Sequence, residues 1–132
     1  MFETLTVKTT SRIEMVDITE RIADFVTRHN MSNGLCCLFI PHTTAGITIN
    51  ENADFTVQLD INTKLSELIP AGFNYSHLEG NADSHIKSTV VGPSLMVIID
   101  RGRLVLGTWQ SIYFCEFDGP RNRSLYIKLI EG

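Results

Sequence analysis

The last third of the chain restricts the fold most. From Leu95 onward, three short apolar or alternating runs, Leu95–Ile99, Tyr113–Phe117 and Leu125–Ile130, are punctuated by turn residues at Arg101-Gly102 and at Asp118-Gly119-Pro120-Arg121-Asn122. Runs of this length have the period of strands, and links this short and polar favour antiparallel neighbours. The domain is therefore built on a sheet.

Upstream the period changes back and forth. Residues 2–9 alternate loosely and are rich in Thr and Val, which predicts an opening strand. Met15, Ile18, Ile22, Phe25 and Val26 then fall on one helical stripe, with Asp17 and Glu20 in the places of a capping box and Asn33-Gly34 as the stop. Gly34–Ile40 is an almost continuous apolar run, which predicts a strand covered on both faces, and Gly46–Asn50 predicts another. Val57, Ile61, Leu65 and Leu68 predict a helix over 54–69, ended by Pro70. A polar stretch, 74–83, leads into a short helix that ends at Gly92-Pro93. The fold class expected is α+β, a mostly antiparallel, sandwich-like sheet system with two to three helices packed on it. At 132 residues it is expected to be one domain, 1–132.

Composition narrows the partners. With 43% hydrophobic and 20% charged residues the chain is expected to fold throughout, and a net charge of -4 gives no pull towards nucleic acid or anionic lipid. No apolar stretch is long enough to cross a bilayer and Met1–Thr10 does not read as a secretory leader, so the expected location is the cytoplasm. Cys36 and Cys37 are neighbours on a strand and face opposite ways, and no CxxC spacing occurs; with Cys115 they read as small buried hydrophobes.

Three histidines stand where packing does not ask for them. His42 opens the link between two strands, His77 lies in the Tyr75–Gly80 loop, and His85 is in the short helix, with Glu79 and Asp83 near enough in sequence to orient the rings. Neutral imidazoles ligate zinc and related metals, and a three-histidine site can activate water or polarise a substrate oxygen. The plainer reading is three unrelated hydrogen-bonded histidines, since the spacing has none of the tightness of HExxH. His29, beside Arg28, reads as a helix-dipole partner.

Two further groups suit an anion. Glu79-Gly80-Asn81-Ala82-Asp83 opens a helix, where free N–H groups and Gly80 allow close approach, and Lys87 either contacts that anion or pairs with Asp83 one turn away. Arg121 and Arg123 put two permanent cations on one turn. Trp109-Gln110 offers a flat face and an amide for a heterocycle, or else a core tryptophan. Asn52-Ala53-Asp54 and Asn81-Ala82-Asp83 are identical triplets before predicted helices, a match that capping alone could explain.

Taken together, Pro41-His42-Thr43-Thr44-Ala45, the run from Thr48 to Asp54, the run from His77 to Lys87, Gly107-Thr108-Trp109-Gln110 and the run from Cys115 to Arg121 closely resemble the YjbQ family, also called UPF0047 or the secondary thiamine-phosphate synthase family. The resemblance spans nearly the whole chain and keeps the family's motif order. It implies an α+β subunit that assembles as a homotrimer, acting on a small phosphorylated metabolite. The implied reaction joins an aminopyrimidine methyl diphosphate to a thiazole phosphate and releases pyrophosphate, as a secondary activity. On this reading His42, His77 and His85 hold a divalent metal, zinc first and magnesium second, and Arg121 and Lys87 lie near phosphate. Glu51, Asp54, Glu79 and Asp83 orient ligands or shuttle protons. Thr43, Thr44, Asn50, Gly80, Asn81 and Trp109 line the substrate or anion-binding surface. The rival from another class is a trimeric module that binds a metal or phosphorylated metabolite without turning it over.

Overall fold

Alternation along the strands sorts the chain into two facing sheets. The computed structural model describes residues 1–132. In chain order the elements are β1 (Phe2–Lys8), β2 (Glu14–Asp17), α1 (Thr19–Arg28), β3 (Gly34–Phe39), β4 (Ala45–Glu51), α2 (Phe55–Leu68), α3 (Ala82–Val91), β5 (Ser94–Asp100), β6 (Arg103–Leu104), β7 (Gln110–Glu116) and β8 (Asn122–Glu131). One sheet has the order β1-β8-β3-β5-β6 and the other β2-β7-β4. Every pairing is antiparallel.

The inner rows make the core. Val7, Cys36, Leu38, Val97, Ile99, Leu125, Ile127 and Leu129 of the larger sheet face Ala45, Ile47, Ile112 and Phe114 of the smaller one, and Ile22, Phe25 and Val26 of α1 join them. Burying a side chain of this size stabilises by about 1.5–3 kcal/mol. Strand β7 is buried on both faces, because Tyr113 and Cys115, with Phe117 just beyond, turn the other way to meet Met15, Leu65 and Val91. Burial pushes the Cys36 and Cys115 thiols up to about 12, which makes them inert packing groups rather than nucleophiles.

Several local expectations change in the tertiary structure. Met15 belongs to β2, where it pairs with Cys115, and not to the helical stripe. The capping box does not form: the Asp17 carboxylate accepts from the Thr19 N–H at 3.0 Å, and α1 starts only there. That helix stops at Arg28, before Asn33-Gly34, as Asn30 takes a left-handed φ of 51°. Strand β3 is covered on one face only, with Cys36 and Leu38 buried and Phe39 exposed. Its outward row continues across the sheet through Phe2, Met96, Ile98, Tyr126 and Ile130, all exposed. Helix α2 forms as its period predicts but buries no residue fully. None of the helices is long and apolar enough to cross a membrane.

Candidate functional site

Three chain segments that are remote in sequence meet at one end of the two sheets. They are the link 40–44 between β3 and β4, the loop 77–81 before α3, and the turn 117–121 between β7 and β8. The register brings the first and third together, since Ala45 opens β4 opposite Glu116 at the close of β7. Gly119 suits the turn because a Cβ there would overlap the Ser11 carbonyl oxygen and crowd Glu116.

Between these segments lies an open groove of about 640 Å³. His42, Thr43 and Thr44 form one wall, Glu79, Asn81 and His85 another, and Asp118 and Arg121 the third, with Arg123 below them. The floor is an ion pair. Glu116 follows Ile112 and Phe114 on the inward face of β7, and Arg123 precedes Leu125 on the inward face of β8, so both charges are pressed into the end of the core. Buried charges survive only when paired. Arg123 binds Glu116 through Nε at 2.9 Å and through Nη2, and Thr9 Oγ1 donates to the same carboxylate at 2.7 Å. Burial alone would push the Glu116 carboxyl up, but the bonds from Arg123, Thr9 and the Asp118 N–H outweigh it and hold it below the ordinary range. Arg123 also donates to Thr44 Oγ1 at 2.9 Å, which fixes the first wall on the floor.

The rim is a second network. Asp118 accepts from Asn81 Nδ2 at 2.9 Å and from Arg121 Nη2 at 3.1 Å, while Arg121 Nε donates to the Asp118 carbonyl at 2.7 Å. Asn81 continues it to His77, whose Nε2 lies 3.1 Å from Asn81 Oδ1. The His77 and His85 rings meet edge to face with centroids 5.2 Å apart, and Glu79 stands 3.8 Å from His77. His42 is engaged elsewhere, its Nε2 accepting from the Ser124 N–H at 2.9 Å. Burial and the nearby Arg123 lower its pKa, so the ring is neutral at pH 7. No group of three His, Cys, Asp or Glu side chains in the subunit is spaced to hold a metal ion. The donor set expected for zinc or magnesium is thus split between His42, bound to backbone, and the His77–His85 edge.

The groove gathers His42, Thr43, Thr44, Glu79, Asn81, His85 and Arg121 of the expected site residues. Gly80 lies in the same loop, with a positive φ of 83°. Asp83 and Lys87 are in the helix beside the groove but face inward, fully buried, with Lys87 Nζ 2.8 Å from the Asp83 carboxylate. Lys87 takes the intrahelical pairing and does not reach an anion in the groove. Asn50, Glu51, Asp54 and Trp109 are not among the groove's residues. The reason is the length of β4: Glu51 pairs with Gln110 at the far end of the strand whose near end meets Glu116, and seven residues of strand span about 20 Å. Trp109 is 62% exposed there, neither core residue nor groove wall.

Residue typing passed over Glu116 and Asp118 as site residues, and Arg12, which clamps Asp83 from the far side at 2.9 Å. A signal for Glu116 was present. A carboxylate in register with Ile112 and Phe114 points into a core and demands a cation.

Residues 3–132 match the family described as UPF0047 protein YjbQ-like. The chain belongs to that family. It is 53% identical over 124 residues to UPF0047 protein MJ1081 of Methanocaldococcus jannaschii, covering 94% of this chain and 90% of that one. With UPF0047 protein YugU of Bacillus subtilis it shares 50% over 131 residues, 98% and 99% of the two chains. The crystal structure of an uncharacterized conserved YjbQ/UPF0047 protein from Clostridium acetobutylicum superposes with a TM-score of 0.95 at 46% identity, covering 97% of this chain and 99% of that one. At 32% identity a YbjQ-like protein of unknown function from Sulfolobus solfataricus gives the same TM-score, covering 100% and 97%. The YjbQ-like fold therefore includes the two-sheet frame that supports the groove.

Proposed function

We propose that the groove binds a small phosphorylated metabolite and catalyses a thiamine-phosphate synthase-type condensation. The observation that supports this is the meeting of the Arg121 cation, the hydroxyl-bearing Thr43-Thr44 wall and the carboxylates of Glu79 and Asp118 in one polar groove. In the reaction the C–O bond to the diphosphate breaks, pyrophosphate leaves with the electron pair, and the thiazole nitrogen forms the new C–N bond to the pyrimidine methylene. Arg121, held by Asp118, presents a planar fork to the leaving oxygens. Glu79 and Asp118 offset the positive charge that grows on the pyrimidine. No step is assigned to a metal. Zinc or magnesium enters the proposal only at the His77–His85 edge with Glu79, and elemental analysis of protein purified without nickel or chelator tests it: a stoichiometric ion lost in H77A and H85A supports it, and none removes it.

Purified protein supplied with the aminopyrimidine diphosphate and the thiazole phosphate is expected to release pyrophosphate and form the condensed product. Arg121→Ala is expected to lower kcat/KM by about a hundredfold, the usual worth of one donor to a developing anion. Product formed no faster than without protein would sink the enzyme reading.

One observation favours the rival, a binding module without turnover. The buried acids and bases, Asp83, Lys87, Glu116 and Arg123, are locked in structural pairs. Tight uptake of the metabolite with no product would establish that alternative. A homotrimer is also proposed, on the strength of the largely apolar outer row of the larger sheet, interrupted by Lys128, where an antiparallel sheet facing water would carry mostly polar residues. Sedimentation equilibrium at three times the subunit mass is the expected result, and a monomer would refute it.

A further inference from the structure

The orientation of the His42 ring assigns a role that its residue type left open. A backbone N–H can only donate, and the Ser124 N–H points at Nε2 of His42 from 2.9 Å. Nε2 therefore holds the lone pair, and the proton of the neutral ring sits on Nδ1. Nδ1 makes no hydrogen bond within the protein, and no buried side-chain nitrogen or oxygen is left without one. It is thus open to solvent, in the groove whose wall His42 forms.

The surroundings keep the ring in that state. Protonating His42 would set an Nε2–H against the Ser124 N–H and break the bond that anchors the ring. Arg121 and Arg123 face it from the β7–β8 turn and the start of β8, and Glu116 lies behind Arg123. Glu79 and His85 face the groove from the loop before α3 and from α3, and Asp118 from the turn. Neither Glu79 nor Asp118 accepts from Nδ1, so this donor is left for a ligand.

We infer that His42 serves the groove as a neutral hydrogen-bond donor, its Nδ1–H meeting an anionic oxygen of a phosphate or diphosphate, and not as a metal ligand or proton acceptor. This rests on the phosphorylated-metabolite reading above. Arg121 provides charge with two of its nitrogens already committed to Asp118, and His42 adds a directed bond from the opposite wall. A lone pair committed to Ser124 is unavailable to a metal, and a ring whose other nitrogen is already protonated has nowhere to accept a second proton without losing its anchor.

The test uses the full-length protein labelled with nitrogen-15. Long-range proton–nitrogen correlation spectra at neutral pH are expected to show His42 as the Nδ1–H tautomer, and titration with inorganic pyrophosphate is expected to move that signal. His42→Ala should weaken pyrophosphate binding about ten- to a hundredfold, as loss of one hydrogen bond to a charged group does. His42→Gln, whose amide oxygen can take the Ser124 N–H while its NH2 donates, should retain most of the affinity. An Nε2–H tautomer, a doubly protonated ring at neutral pH, or a Gln variant as weak as the Ala variant overturns the inference. If pyrophosphate moves the Arg121 Nε–H but not His42, the donor role falls and phosphate binding stands; if it moves neither, both readings fall. Should the Ala variant fail to fold, the tautomer and titration of the unmodified protein decide.

Discussion

Asn52-Ala53-Asp54 and Asn81-Ala82-Asp83 are the same three residues at the entry of a helix, and they live in different physical worlds. Asp54 is exposed and caps α2, its carboxylate taking the Thr56 N–H at 3.0 Å and the Thr56 hydroxyl at 2.6 Å. Asp83 lies one position inside α3, wholly buried between Arg12 and Lys87. The Asn52 side chain reaches only the carbonyls of Thr108 and Gln110 at the far end of β4 and β7. Asn81 stands at the groove and links His77 to Asp118. The residues are identical; what differs is where each helix begins and whether a third segment packs over its start. Arg12, between β1 and β2, does so for α3 alone.

The comparison can be broken most directly at the aspartates. Asp83→Ala leaves the Lys87 ammonium buried without its partner and is expected to cost about 3–5 kcal/mol in urea unfolding, or to prevent folding. Asp54→Ala removes an exposed cap and should shift the urea midpoint by only a small part of that. Equal losses would mean that Asp83 is no more than a helix-entry residue.

Acid sharpens the same contrast. Burial alone would push the Asp83 carboxyl up, but the bonds from Arg12 and Lys87 outweigh it, so its pKa is lowered from the ordinary value of 3.8. A carboxyl whose folded pKa is depressed adds stability above its unfolded pKa and loses it as pH falls through the folded value. With Glu116, lowered from 4.5 in the same way, this predicts a steep fall in urea midpoint below about pH 4. The slope should be shallower in Asp83→Asn, and an unchanged slope would remove Asp83 from the ion-pair account.

The smallest expected effect separates the asparagines by function. Asn81→Ala frees Asp118 and His77 and should weaken pyrophosphate binding by about tenfold, the low end for a hydrogen bond to a charged group, with little change in unfolding. Asn52→Ala should leave that binding alone, because it sits at the opposite end of β4. Isothermal titration of both variants against wild type reads the difference, and equal weakening would put the two ends of the strand in one site.

Much of the frame was legible along the chain. The opening strand, α2 and the β-rich final third follow from their own periods, and the end of α3 at Gly92-Pro93, the link at His42 and the turn at Asp118 follow from their punctuation. Strand β2 was hidden because Met15, one of its four residues, also continues the apolar stripe of α1, and only pairing with β7 decides between them. The Asp17–Glu20 box failed for the same reason, since a strand ending at Asp17 leaves no room for a helix to begin there.

For the site, residue types alone determined that polar and ionisable groups cluster at 42–44, 77–87 and 118–123, because no helix or strand needs them there. Tertiary structure decided which of them share a groove. Strand length carried Glu51 and Trp109 away, helix phase turned Asp83 and Lys87 inward, and antiparallel register put Glu116 beneath Ala45. The physical reason is that a side chain's neighbours in sequence fix its chemistry and its local backbone, whereas its charge partners, its desolvation and the direction its proton faces come from segments as remote along the chain as Thr9 is from Glu116.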